Sequence, residues 1–169
     1  MSEPGARQAD NAKTMTIIVT KGSLDWAYPP FILATTAAAM GVDVTMFFTF
    51  YGLPLLLKKL DLQVTPLGNA AMKMPMMGMH MTMPNIVGMI PGVDAAASVM
   101  MKNLIKKKGV ASIEELREAA IESDVKLIAC QMTMDLFEYD AKDMIPGIKL
   151  GGAATYMERA LKSDVNLFI

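Results

Sequence analysis

Two kinds of hydrophobic pattern take turns along the chain. Short β-branched or apolar runs bounded by turn residues predict buried strands, and longer segments with apolar positions every three to four residues predict helices. Thr16-Ile17-Ile18-Val19-Thr20 is the first strand-like run and ends at Lys21-Gly22-Ser23. Leu24 to Met40 then reads as a helix stopped by Gly41. Its regular part should begin only at about Pro29 or Pro30, because an interior proline removes a hydrogen bond and crowds the preceding turn. Val42 to Phe50 is apolar nearly throughout, as in a central strand covered on both faces. Leu53 to Leu60 has room for one or two helical turns.

From Leu62 to Met101 the texture changes: only Lys73 and Asp94 carry a full charge, and ten of the 18 methionines fall there. Pro66, Pro75, Pro84 and Pro91 forbid a long helix through its first part, whereas Ala95 to Lys107 suits one. Ser112-Ile113-Glu114-Glu115 has the form of a capping box and opens a helix to about Ser123, with Ile113, Leu116 and Ala120 turned inward. Val125 to Ala129 is the next strand, Cys130 stands at its carboxyl end, and Met132 to Glu138 forms a short helix. Ile148-Lys149-Leu150 leads through Gly151-Gly152 into a helix over Ala153 to Leu161, and Val165 to Ile169 closes the chain as a strand. This alternation implies an α/β fold, a parallel sheet with helices on both faces. Residues 1–14 read as a flexible tail and 15–169 as one domain, with a methionine-rich insertion at about 62–101.

Composition narrows the function classes. The chain has 169 residues, 53% of them hydrophobic, and a formal net charge of −1, a balance that gives no electrostatic footprint for nucleic acid, which would need a basic face. Lys102, Lys106, Lys107 and Lys108 are expected as a solvated helix end favoured by the helix dipole. The apolar stretch from Trp26 to Leu57 is broken by Pro29, Pro30, Gly41, Asp43, Gly52 and Pro54 into pieces too short to span a bilayer, and membrane contact is not expected. A single cysteine excludes an intrachain disulfide and fits a reducing compartment, and Met1 to Ala12 carry no secretory pattern, so a cytoplasmic location is expected.

Ligands of open parallel sheets gather outside the carboxyl ends of the strands, where Cys130 lies. A thiolate or sulfur anion there would be favoured by the amides opening the helix near Met132, while the plainer reading is a buried structural cysteine. Lys21-Gly22-Ser23 and Gly151-Gly152 should reach the same edge, although neither matches a phosphate-binding fingerprint. No G-x-S-x-G elbow surrounds a serine, and Asp135, Glu138, Asp140 and Asp143 are placed as surface residues would be. Met72, Met74, Met76, Met77, Met79, Met81, Met83 and His80 form a soft donor cluster suited to Cu(I), or an adaptable core or interface segment, the latter preferred; no metal site is assigned.

The segment Ala129-Cys130-Gln131-Met132-Thr133-Met134-Asp135-Leu136 resembles the cysteine segment of the DsrE/DsrF-like sulfur-relay proteins. The likeness is to the larger DsrE-type branch found beside sulfur-oxidation genes. It extends to Lys21-Gly22-Ser23, to Phe47-Phe48-Thr49-Phe50-Tyr51-Gly52, to the methionine-rich middle and to Gly151-Gly152-Ala153. The resemblance implies a flavodoxin-like sheet, homo-oligomeric assembly, and persulfide or thiosulfonate carried on Cys130. It also implies partners: a TusA-like carrier, a rhodanese or a heterodisulfide-reductase-like complex. Lys21, Gly22, Gln131, Met132, Lys149, Gly151 and Gly152 are the expected contacts of the anionic cargo, and no cofactor is implied. A second cysteine, described for some members of the branch, is absent, so partner thiols must supply the second sulfur. A methionine-based Cu(I) protein, or a structural or flavin-binding module of the same fold, are the alternatives.

Overall fold

The computed structural model describes residues 13–65, 73–76, 79–82 and 92–169. Five strands form a parallel sheet: β1 (Thr14–Val19), β2 (Asp43–Phe48), β5 (Lys126–Cys130), β6 (Lys149–Gly151) and β7 (Val165–Phe168), in the spatial order β6-β5-β2-β1-β7. β2 sits at the centre, and Val44 to Phe48 are all buried, which is why its sequence is apolar without alternation. β1 opens at Thr14, one residue inside the stretch assigned to the tail; the tail up to Ala12 lies outside the described residues.

The order of the strands decides which helix covers which face. The steps β1 to β2, β2 to β5 and β5 to β6 all move the same way, so right-handed crossovers place their helices on one face. There α1 (Leu24–Ala39), α3 (Ile113–Glu122) and α4 (Gln131–Leu136) pack with Ile17, Val44, Met46 and Phe48. The step from β6 to β7 returns across the whole sheet, so α5 (Ala153–Ala160) lies on the other face, where Tyr156 and Ala160 cover Phe47, Ile128 and Cys130. The flavodoxin-like α/β expectation, with helices on both faces, therefore holds.

Local departures have identifiable causes. α1 begins at Leu24 and runs through Pro29 and Pro30, not from them. Its first turn is held from outside: the Leu24 amide donates to Gln63 O at 2.8 Å, and the Asp25 carboxylate accepts from the amide and hydroxyl of Thr65. The carbonyls that the prolines leave without amide donors belong to Asp25 and Trp26, both exposed to water. The segment after β2 winds as a 3₁₀ helix over Phe50–Leu56, ahead of the place where a helix was expected. In α3 the capping box forms as read, with Ser112 N donating to Glu115 Oε2 at 2.7 Å. The buried residue between Ile113 and Ala120 is Arg117, with Leu116 only partly buried. Its guanidinium donates to Leu55 O at 3.0 Å and Leu57 O at 2.7 Å, tying α3 to the end of the 3₁₀ helix.

Within the methionine-rich insertion the backbone forms an antiparallel hairpin, β3 (Lys73–Met76) with β4 (Met79–Thr82), in which Met74 stands opposite Met81 and Pro75 opposite His80. No strand was expected there. The donor groups on which a Cu(I) reading depends lie outside the described residues. Helix α2 (Val93–Lys107) follows, and its Ser98 hydroxyl accepts from the Val64 amide at 3.0 Å. No helix among the described residues is long and apolar enough to cross a membrane.

Candidate functional site

Cys130 is both the last residue of β5 and the N-cap of α4. A strand that ends directly in a helix turns its final residue across the carboxyl edge of the sheet, and here that residue is the only thiol. The side chain lies on the α5 face beside Phe47, Ile128 and Tyr156 and is only 4% exposed. Gly151 of β6 is its direct partner across the ladder. A Cβ at Gly151 would stand 3.1 Å from the side chains of Ile128 and Thr155, so the bare residue lets β6 and α5 close around the cysteine.

Two threonines complete the setting. Thr133, in the first turn of α4, is fully buried; Thr49 follows β2, and their hydroxyl oxygens are 3.1 Å apart. Burial pushes the Cys130 thiol up, but the hydroxyl and amide of Thr133, the hydroxyl of Thr49 and the amide of Met132 act against it together. Hydrogen-bond donors of this kind stabilise a thiolate, and the net result is a thiol below its ordinary range.

The loop that supplies Thr49 is held in a defined shape. Phe50 adopts a left-handed conformation with φ 46°, and its amide donates to Thr133 Oγ1 at 3.1 Å. Gly52 passes so close to β1 that a Cβ would lie 2.3 Å from Val19 O. Gly22 is packed in the same way against Tyr51 O, at 2.2 Å. Both contacts are with backbone, which cannot move aside as a side chain would.

A family model with the description DsrE/DsrF/DrsH-like matches residues 11–168. The chain belongs to this family. It is 57% identical to the sulfur carrier protein DsrE2 of Allochromatium vinosum, over 93% of this chain and 98% of that protein. It is also 36% identical to the uncharacterized protein YrkE of Bacillus subtilis, over 95% of this chain and 99% of that one. In three dimensions it resembles the ychN protein from E. coli with a TM-score of 0.53 over 93% of this chain and 99% of the other, at 12% identity, a likeness of fold.

Set on this DsrE-like frame, the residues expected around the cargo fall into two groups. Gln131 and Met132, exposed in the first turn of α4, and Gly151 adjoin Cys130. Gly152 caps α5 one residue further on, and Lys149 is exposed on β6 opposite Ile128, on the face that carries Cys130. Lys21 and Gly22 follow β1, which is separated from β5 by β2, a distance of roughly 10 Å. The Lys21 ammonium rests 3.3 Å above the Trp26 ring, a cation–π contact.

Thr49 and Thr133 were not singled out from the sequence. Each had a signal: Thr49 interrupts an aromatic run at a strand end, and Thr133 stands three residues after a cysteine that caps a helix. At the C-terminal end of α4, Phe137 stacks on Tyr51 at 5.8 Å and meets Phe50 and Tyr139 edge-on at 6.4 Å. A cleft of about 440 Å³ runs along α4 from Gln131 to Ala141, with Leu150 on its far wall.

Proposed function

We propose that this chain is a cytoplasmic sulfur carrier that holds a persulfide or thiosulfonate on Cys130 and passes it to a partner thiol. The observation that carries this reading is the setting of Cys130: a thiol lowered by threonine hydroxyls and helix amides, at the carboxyl edge of the sheet. The 57% identity to a protein named as a sulfur carrier supports it.

In loading, the Cys130 thiolate attacks the outer sulfur of a donor persulfide. The new Sγ–S bond forms as the donor's S–S bond breaks, and the donor leaves as a thiolate. Discharge is the reverse step toward an acceptor, with Cys130 as leaving group. The hydrogen bonds that stabilise its thiolate make it a better leaving group. Because Sγ is buried, an added sulfur about 2 Å further out is the atom that an incoming thiol meets first. Gln131, Met132, Gly151 and Gly152 would enclose the cargo, and Lys149 and Lys21 would supply positive charge, the latter after leaving Trp26. The partner is a TusA-like carrier, a rhodanese or a heterodisulfide-reductase-like complex.

Residues 15–169 act as one domain in this reading, and the protein as a homo-oligomer. The edge strand β7, with Phe168 74% exposed, Met157 of α5 and the Leu161 that caps its C-terminal end offer apolar surface for self-association. Light scattering that finds only monomer at micromolar protein would remove the oligomer from the proposal.

The deciding experiment is intact-protein mass spectrometry after brief incubation with thiosulfate, tetrathionate or polysulfide, comparing wild type with Cys130→Ser. A reductant-reversible gain of sulfur or thiosulfonate confined to the wild type is expected, and its mass names the cargo. No adduct from any donor, on a thiol that iodoacetamide can alkylate, would defeat the carrier reading.

A further inference from the structure

The surface formed by α4 and the segments that flank it, at the carboxyl edge of the sheet, is more apolar than a solvated edge needs. Phe50, Tyr51, Met132, Leu136, Phe137 and Leu150 are all exposed there, Tyr51 to 71% and Leu136 to 60%. Tyr51 and Phe137 present stacked rings, a flat platform of the kind that recurs in protein interfaces. The cleft along α4 is lined by Asp135, Glu138 and Asp140, and no lysine or arginine lines it. Lys142 pairs with Asp140 at 2.8 Å, while Asp135 and Glu138 form no ion pair among the described residues.

We propose that this face receives a foreign protein that presents its thiol on a basic segment, with lysine or arginine side chains over Asp135, Glu138 and the Tyr51–Phe137 rings. The inference rests on the carrier reading above and names the chemistry of its partner. Two observations select this occupant over a second copy of the chain. The chain has one cysteine, so two copies meeting at this face could exchange sulfur only between identical thiols, with no net transfer. The same face would also bring Asp135 and Glu138 of one copy toward the like charges of the other. A basic partner gains from both features, by charge complementarity at the cleft and by cation–π contact at the platform.

The test needs no sulfur cargo. Two synthetic peptides of equal length each carry one cysteine activated as a 2-thiopyridyl disulfide, flanked in one by lysines and in the other by glutamates. The Cys130 thiolate attacks the peptide sulfur, a mixed disulfide forms, and thiopyridone leaves with the electron pair. Its release gives the rate, and each protein's rate with uncharged iodoacetamide normalises for thiol reactivity. At low salt the lysine peptide is expected to react about tenfold faster than the glutamate peptide. Asp135→Lys combined with Glu138→Lys is expected to invert that preference.

Equal rates, or a preference that survives the charge reversal, overturn the proposal. So does a failure of both peptides to react where iodoacetamide does. A charge-reversed variant that changes self-association in light scattering would assign the face to a second copy and overturn it as well. Sulfur loading without peptide discrimination sinks the docking inference alone, and discrimination without loading sinks the carrier reading alone.

Discussion

The Phe50 amide donates to Thr133 Oγ1 at 3.1 Å, joining residues 83 apart in sequence, and this bond orients the group that serves Cys130. A hydroxyl has one hydrogen and two lone pairs. With one lone pair taken by Phe50, the Thr133 hydrogen is left to point toward Thr49 or the sulfur. Phe50 reaches this position only with φ 46°, a conformation that costs a bulky residue roughly 1–2 kcal/mol. The close packing of Gly52 on Val19 and of Gly22 on Tyr51 holds it there.

Thr133→Val keeps the shape and removes the hydroxyl. The Phe50 amide then loses its acceptor, at a cost of about 1–3 kcal/mol, and the Cys130 thiol rises toward its ordinary range. Thr133→Ser restores both functions. Iodoacetamide alkylation followed across pH reads the thiol, and urea unfolding reads the stability. A valine variant with the pH profile of wild type would mean that the hydroxyl plays no part at the sulfur.

Arg117 is a second, more remote support. Its guanidinium is buried, burial draws its pKa down while Glu114 and Glu118 oppose this, and its two bonds hold Leu55 O and Leu57 O at the end of the loop that carries Phe50. Arg117→Met is expected to destabilise the fold by about 1.5–3 kcal/mol, the range for hydrogen bonds to a charged donor. Chemical denaturation measures that loss; a change below a few tenths of a kcal/mol would show that water replaces the guanidinium at no cost.

Arg117 also marks where the sequence stops being legible. Strand runs such as Thr16 to Thr20 and the capping box at Ser112 depend on neighbours in the chain, and the structure places them within a few residues of where they were read. Cys130 stood out because a strand pattern ends on it, and β5 does end there. What could not be read depends on partners far away: Arg117 looks like a surface helix residue until Leu55 and Leu57 are placed beside it. α1 runs through Pro29 and Pro30 because Gln63 and Thr65 hold its first turn. Thr49 and Thr133 become a pair only when β2 and β5 are neighbours.

Gly52→Ala and Gly22→Ala test whether the Tyr51 loop must be closely packed. At 2.3 Å and 2.2 Å from a carbonyl oxygen of the neighbouring backbone, either Cβ forces the loop away from β1. Destabilisation of about 1–3 kcal/mol is expected from each, with Phe50 drawn away from Thr133 and slower alkylation of Cys130. Gly152→Ala is the control, because open space surrounds that position. Equal effects at all three sites would show that the loss comes from glycine's backbone freedom and not from the contacts.

The lowered thiol of Cys130 also links stability to pH. A group whose pKa is depressed by folding stabilises the native state above its unfolded pKa, and that contribution fades as pH falls through the folded value. Between those two values the unfolded chain binds more protons, so stability must rise with pH. Wild type should therefore gain stability relative to Cys130→Ser as pH climbs toward the ordinary thiol range, and lose that advantage on the acid side. Thr49→Val combined with Thr133→Val should flatten the slope, because burial then acts against fewer donors. Urea midpoints of the three proteins across this window measure it directly. A wild-type curve parallel to that of Cys130→Ser would mean that the thiol has the same affinity for its proton folded and unfolded, and the threonine pair would lose its assigned role.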